Sequence, residues 1–363
     1  MARWVLSKTC KSWLLKSLKF LHFLRKISSF SRLLPRGIFM KYLYLLLALS
    51  CAYHSPGPIG RNPSGVSLVT TYGQLKERLE RARPGERILI DKYAMFDMTN
   101  AGTLVIDKAV TLEGYPDPGE KDRATFFHLG KALPMFNINA PKVKLIGLKF
   151  EGVEKDTKKE EIIRLNAQGI KGVYQFPVTR GVDINASDVE ISNCEFEGFS
   201  HAAIFITGAK NVVIDLNYIH HNQRFGLGYG VALNLGSTAK ITRNTFDYNR
   251  HSIAGTGHSG QSYEASYNFF GTHHIDTPLD MHGGKDRGDK TQIAGKHVVI
   301  HHNEIKGTSV AAFIHRGIAE ERVEFYANTL YFKDQDKAIG YYNGISKNNL
   351  AKEKFKYYGN FFK

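Results

Sequence analysis

The stretch Val212–Asn222, VVIDLNYIHHN, decides how this chain folds. It reads as an alternating apolar strand, an Asn, a short apolar pair and a turn. The same order recurs in VEISNCEFEG (189–198), AKITRNTFDYN (239–249), YEASYNFFG (263–271), HVVIHHNEIKG (297–307), VEFYANTLYF (323–332) and FKYYGNFF (355–362). Aligning them puts Asn193, Asn217, Asn244, Asn268, Asn303, Asn328 and Asn360 in one column, at spacings of 24, 27, 24, 35, 25 and 32. VKLIGLKFEG (143–152) places Gly147 in that column, 46 residues before Asn193, the length of two coils. A second strand follows each Asn and ends near Gly: AAIFITG, GVALNLG, SIAGTG, PLDMHGG, AAFIHRG and AIGYYNG.

Period-two strands at short spacing, with Asn and Gly at the turns, predict parallel coils that stack. Hairpins would need two-residue Asn-Gly or Asp-Gly turns, and these links are longer. The fold class expected is all-β: a single-stranded right-handed parallel β-helix, a solenoid of about 9–11 coils. Aligned Asn side chains would ladder at its corner. TTYGQLKERLERA predicts a helix over 72–82, placed to cap the first coil, and helical periodicity is nearly absent after it. The wide spacings of 35 and 32 mark inserted loops.

The 363 residues carry a net charge of +15, but its position matters more than its size. Residues 1–50 hold ten of the 49 Lys and Arg and none of the 34 Asp and Glu, so the remaining 39 basic residues exceed the acidic ones by five. That mild excess argues against a nucleic-acid partner. MKYLYLLLALSC (40–51) has one Lys, an apolar run and small residues before a Cys. The run is too short to span a bilayer. It reads as a signal peptide, residues 40–51, and its ending resembles a bacterial lipoprotein signal with lipidation at Cys51. Residues 1–39 then read as an upstream extension or basic leader, 52–66 as a linker and 67–363 as the β-helix domain. The expected protein is exported, either lipid-anchored at the cell envelope or secreted, and monomeric. With Cys10 and Cys51 in the leader, Cys194 stands alone as a buried thiol, and no disulfide framework exists.

Eleven of 15 histidines fall between His220 and His315. Alternation in the second strands places Val231, Leu233, Leu235, Ile253, Leu279, Met281 and Phe313 inward. Thr256, His282 and Arg316 then form an outward stripe, with Asn234 and Asp280 in the column beside it and Ile314 outward as well. The preceding turns bring Arg224, Arg250, His251 and His221 alongside, while His302 reads as inward. Converging polar groups on a rigid scaffold make a candidate site. His282, Asp280, Arg316, His251 and Arg250 are the candidate catalytic residues. Arg224, Asn234, Thr256, Glu264, Arg287, His221 and Tyr229 are the candidate substrate-binding residues. In KDRGD (285–289), which should wall the stripe, Asp286 and Asp289 would position Arg287. Tyr229, Phe225 and Tyr263 could stack on sugar rings.

The run NRHSIAGTGHSGQSYEASYN, with PLDMHGGKDRGD and IAG after it, resembles a set of bacterial right-handed β-helix proteins over residues 140–345. More widely the chain resembles the pectin-lyase-like, carbohydrate-active β-helix enzymes: pectate and alginate lyases and mannuronan epimerases. The epimerases carry Asp-Pro-His on an outward strand with an Arg nearby. Asp280-Met281-His282 is similar, with Met in the middle. The resemblance implies an acidic polysaccharide as partner. It implies removal of the proton beside the sugar carboxylate, with Arg316, helped by Arg250 or Arg287, neutralising the acid and His282 or His251 as base. Three other readings stay open. A glycoside hydrolase would pair Asp280 with Glu264 or Asp286. A surface lipoprotein or adhesin would bind glycans through the same face without turnover. A metal enzyme could draw on His221, His251, His273, His274, His282 and Asp280, although no HxH or HExxH spacing supports it. No cofactor is expected.

Overall fold

The computed structural model describes residues 67–114, 122–130, 134–154, 156–307, 311–332, 334–341 and 354–363, all within one compact unit, Gly60–Lys363. The leader, signal, lipidation and linker assignments on 1–66 lie outside the described residues.

Among the described residues the strands pair only in parallel and form three sheets running along the solenoid. Two have ten strands, from Arg87–Ile90 to Phe355–Tyr358 and from Met95–Asp97 to Phe361–Phe362. The third has nine, from Leu104–Ile106 to Ile339–Tyr341. Each coil contributes one short strand per sheet, so its apolar residues are buried only by the coils above and below. The inward columns are continuous. On the second sheet Phe96, Phe126, Phe150 and Phe196 are in register, with neighbouring ring centroids 4.5, 5.5 and 4.7 Å apart. On the third, Leu104, Phe136, Val182, Ile204, Val231, Ile253, Leu279 and Phe313 make the matching column, all buried.

Helix α1 (Tyr72–Arg81) covers the open end of this core. Thr71 and Gln74 close a capping box, with Gln74 N donating to Thr71 Oγ1 at 3.3 Å and Thr71 N to Gln74 Oε1 at 3.2 Å. Leu75 and Leu79 face the core, and Val69 bridges to Ile90 of the first coil. The expected end at Ala82 shortens by one residue, to the C-cap.

The Asn ladder exists, one residue out of step with part of the expected alignment. Asn217, Asn244, Asn268, Asn303, Asn328 and Asn360 are bonded Nδ2 to Oδ1 in sequence at 2.9–3.0 Å. Each also accepts the backbone N–H of the preceding member or its equivalent and donates to a carbonyl. Gly147 and Asn193 are not in this column. They stand just before it, where eight successive coils turn through a left-handed residue: Gly147, Asn193, Leu216, Arg243, Tyr267, His302, Ala327 and Gly359, with φ between 52° and 67°. Asn suits both positions, since it tolerates the left-handed region and can bond along the axis. His302, expected inward, is therefore exposed at this corner. Leu235, also expected inward, turns with φ 46° and is 50% exposed.

Cys194 fills the ladder position below Asn217. Its N–H donates to Asn217 Oδ1 at 2.8 Å, its Sγ accepts from Leu148 N at 3.5 Å, and Sγ lies 3.6 Å from Leu145 O. Burial pushes the thiol up to about 12, so it stays protonated and inert. Cys194→Asn is expected to extend the ladder by one rung, gaining about 1 kcal/mol through better bonds to the same partners. Thermal unfolding of the variant should show a midpoint a few degrees higher; a lower one would mean the column cannot admit the amide.

The 46-residue gap before Asn193 is one coil, not two. Lys144–Ile146 pairs directly with Glu190–Ser192. The surplus is an insertion holding α2 (Lys159–Ala167), a helix that the strand pattern around it concealed.

Candidate functional site

The expected stripe lies on the outer face of the third sheet. Backbone ladder bonds carry it from coil to coil: Thr256 N to Leu233 O at 3.0 Å, His282 N to Gly255 O at 2.9 Å and Arg316 N to Met281 O at 2.9 Å. Asn234 belongs to this column rather than the neighbouring one, with Thr256 Oγ1 donating to its Oδ1 at 3.4 Å. The column beside it runs Phe205, Ala232, Ala254, Asp280, Ile314.

Asp280 faces away from the solenoid core and is nevertheless 0% exposed. Arg316, one coil above, grips it in a fork, Nε to Oδ1 at 2.8 Å and Nη2 to Oδ2 at 2.5 Å. Two imidazoles approach Oδ2, His282 Nε2 at 3.2 Å from the same strand and His251 Nε2 at 3.2 Å from the coil below. Burial alone would raise the Asp280 pKa. His251, His282 and Arg316 outweigh it and hold the carboxyl well below the usual carboxylate range. An ionised Asp280 accepts, so His282 donates through Nε2 and keeps its lone pair on Nδ1. His282 remains 26% exposed at the rim.

His251 is fully buried, and its Nδ1 can only donate to the Thr277 carbonyl, 2.5 Å away. Burial lowers its affinity for a second proton, against the pull of Asp280. The neutral ring then sets an Nε2 lone pair beside a carboxylate oxygen. No hydrogen bond relieves that contact, which is held in place by the packing of the two coils. Tyr229 lies nearly parallel to His251, with ring centroids 5.7 Å apart. Arg250 Nη1 reaches the Tyr229 hydroxyl at 3.5 Å, while its Nη2 pairs with Asp276 at 3.3 Å. Burial raises the Tyr229 pKa, keeping its hydroxyl protonated. Asp276 and Thr277 escaped the sequence reading. They lie in the turn before the strand, and only the coil-to-coil pairing of that turn with Arg250 reveals them.

Five of the residues read from the sequence are thus brought together: His251, Asp280, His282 and Arg316 around one carboxylate, with Arg250 beside them. Tyr229, Asn234 and Thr256 line the adjoining face. Others are placed elsewhere. Arg224 is 0% exposed and does not reach the stripe. Its guanidinium bonds Glu154 at 3.2 and 2.7 Å and the Val173 and Pro177 carbonyls, fastening the α2 insertion to the coil two further along the solenoid. Glu264 is on the first sheet, in a shallow concavity of about 390 Å³ shared with Lys240 and His297. It cannot pair with Asp280. Tyr263 is buried and offers no stacking face. His221 stands at the end of a second-sheet strand, away from this column, and His273 stacks on Tyr248.

The Gly-Gly pair after His282 turns the chain into α3 (Gly284–Arg287). A Cβ on Gly283 would lie 2.2 Å from the Arg316 carbonyl oxygen, so only glycine lets the two coils close here. Arg287 staples this insertion down. It donates to Thr256 O at 2.6 Å, Ile293 O at 2.9 Å and Asp289 at 2.7 Å. All three of its nitrogens are thus engaged by the protein, and its side chain is 10% exposed. Asp286 accepts from Gly283 N and lies 3.7 Å from Arg316.

Residues 179–355 match the family model described as the right handed beta helix region. With three parallel sheets stacked coil on coil, this defines the class: a right-handed parallel β-helix protein, all-β. An alginate lyase from Paenibacillus sp. str. FPU-7 superposes with a TM-score of 0.52 over 81% of this chain and 94% of that one, at 13% identity. A PL6 alginate lyase in complex with a trisaccharide gives 0.43 over 76% and 58%, at 12% identity. A glycosyl hydrolase structure from Parabacteroides merdae ATCC 43184 gives 0.35 over 58% and 90%, at 14% identity. At such identities the likeness is one of fold. No curated protein sequence matches the chain.

Proposed function

We propose that the outer face of the third sheet binds an acidic polysaccharide and removes the proton on the carbon next to the sugar carboxylate. The observation that carries this reading is the buried Asp280, gripped by Arg316 and bonded to a His282 whose other nitrogen carries the lone pair. Asp280 orients the imidazole and stabilises its charge once His282 Nδ1 has taken the proton. The Arg316 fork is committed to the buried Asp280, whereas Arg250 holds only a single 3.3 Å contact to the more exposed Asp276, which a substrate carboxylate can replace, so Arg250 is the better cation. Neutralising that carboxylate makes the neighbouring C–H acidic enough to lose its proton. The Tyr229 hydroxyl, kept protonated beside Arg250, is the group to supply a proton. Given to the departing glycosidic oxygen as that bond breaks, it completes a lyase cycle and leaves an unsaturated sugar. Given to the opposite face of the same carbon, it completes an epimerisation. Known carbohydrate-active proteins with this architecture support the reading. Residues 40–51 carry the accompanying proposal that the protein is exported, with Cys51 as its lipid anchor.

A hydrolase reading fits less well. Asp280 is enclosed and held ionised, so it cannot serve as the general acid, and Glu264 is on another sheet. The test is incubation with acidic polysaccharides, followed by ultraviolet absorbance and reducing ends together. A lyase raises both, a hydrolase only the second, and an epimerase neither while changing the sugar's NMR signals. His282→Ala is expected to lose about 10²-fold or more of the turnover with an unchanged circular dichroism spectrum, the usual scale for a general base. Full activity in that variant would remove His282 from the reaction. No turnover and no binding by the wild type on any acidic glycan would reject the proposal.

A further inference from the structure

We propose that Glu197, His220 and His221 form a binding site for a divalent transition-metal ion of the zinc class. These residues lie on the second sheet, outside the Asp280 cluster, and the proposal is independent of the reading of that cluster. One ligand atom from each can be chosen so that all lie within 4.8 Å of one another. His220 Nδ1 is 2.6 Å from His221 Nδ1 and 4.0 Å from Glu197 Oε2. A tetrahedral ion bonded at about 2.0–2.2 Å to nitrogen and oxygen holds its ligand atoms about 3.3–3.6 Å apart. Shifts of less than about an ångström therefore bring the three onto one centre. Two imidazoles and a carboxylate are a ligand set that zinc favours, and three protein ligands leave a position for water.

The coil architecture builds the cluster. Glu197 and His220 are direct partners in register on adjacent coils. His221 follows in the left-handed region, φ 55°, which swings its ring across, 83° from that of His220. Each ring is backed by a tyrosine. Tyr218 stacks on His220 at 3.9 Å and Tyr248 on His221 at 4.3 Å.

The surroundings match what a metal-bound histidine needs. His220 Nε2 is buried without a hydrogen-bond partner, and the nearest carboxylate oxygen, Glu195 Oε1, is 3.6 Å away. With Nδ1 on a metal, Nε2 carries the proton and points it at Glu195, the carboxylate–histidine–metal arrangement. Lys149 bonds Glu197 Oε1 at 2.8 Å, which leaves Oε2 on the side of His220. His301 and His302 repeat the local geometry, Nδ1 to Nδ1 2.7 Å and rings at 86°, at a first-sheet corner. Among the described residues no carboxylate completes a set with them, Glu264 approaching His301 at Nε2 (3.4 Å) rather than Nδ1, and they provide an internal control.

Cobalt(II) titration of the full chain tests the proposal by visible absorption. One equivalent is expected to bind, giving d–d bands that zinc abolishes by displacement. Glu197→Gln and His221→Gly should each weaken binding by at least about tenfold, while His302→Gly and His282→Ala leave it unchanged. On the wild-type chain, the imidazole NMR signals that move with zinc should be those of His220 and His221. Absence of saturable binding, equal affinity in Glu197→Gln and His221→Gly, or movement confined to His251 and His282 would overturn the site.

Discussion

Asp280→Asn is expected to destabilise the protein by about 3–5 kcal/mol, the cost of leaving a buried charge without its partner. The amide is almost the same size, so no cavity opens. The loss comes from charge alone: Arg316, its side chain 18% exposed, keeps its guanidinium without the carboxylate it forks onto. His282 loses the acceptor for Nε2 as well, so turnover should fall with stability. A urea midpoint shift at unchanged slope reports the first effect and product formation the second. A variant as stable as the wild type would show that the fork contributes nothing to the fold.

Asn268→Ala should cost about 4 kcal/mol, because its side chain makes four buried hydrogen bonds of about 1 kcal/mol each. Oδ1 accepts from Asn244 N and Nδ2 at 2.9 and 3.0 Å. Nδ2 donates to Ile241 O at 2.9 Å and Asn303 Oδ1 at 3.0 Å. Asn360→Ala, at the exposed end of the ladder, should cost distinctly less, since water can reach the groups it leaves. Comparing the two denaturation midpoints isolates the ladder from the general cost of truncating an Asn.

The coil, its two longer strands and its corner were legible because each rests on a local period. Val231, Ile253, Leu279 and Phe313 announce the core by alternation, and Asp280 and His282 announce the outer face by the same rule. What was not legible depends on which coils touch. Asn193 reads like the ladder residues because the corner and the ladder favour the same side chain for different reasons. The Gly147–Asn193 gap reads as two coils because length alone does not distinguish a coil from an insertion. Arg224 reads as a surface cation, and only the folded α2 insertion supplies the Glu154 and carbonyls that bury it. Asp276 joins the site through the turn of a neighbouring coil, a contact that no spacing in the sequence encodes.

Each ladder Asn speaks only to the coil before it and the coil after it. Cooperativity in this molecule is therefore passed from neighbour to neighbour, as in a one-dimensional array, rather than shared through a common centre. Opening should begin as fraying at the ends, and amide-exchange protection should rise toward the middle coils. Asp280 and its partners sit on coils nearer the C-terminal end. The Arg316 fork crosses between two of them, so it acts as a latch on the path by which that end would unzip.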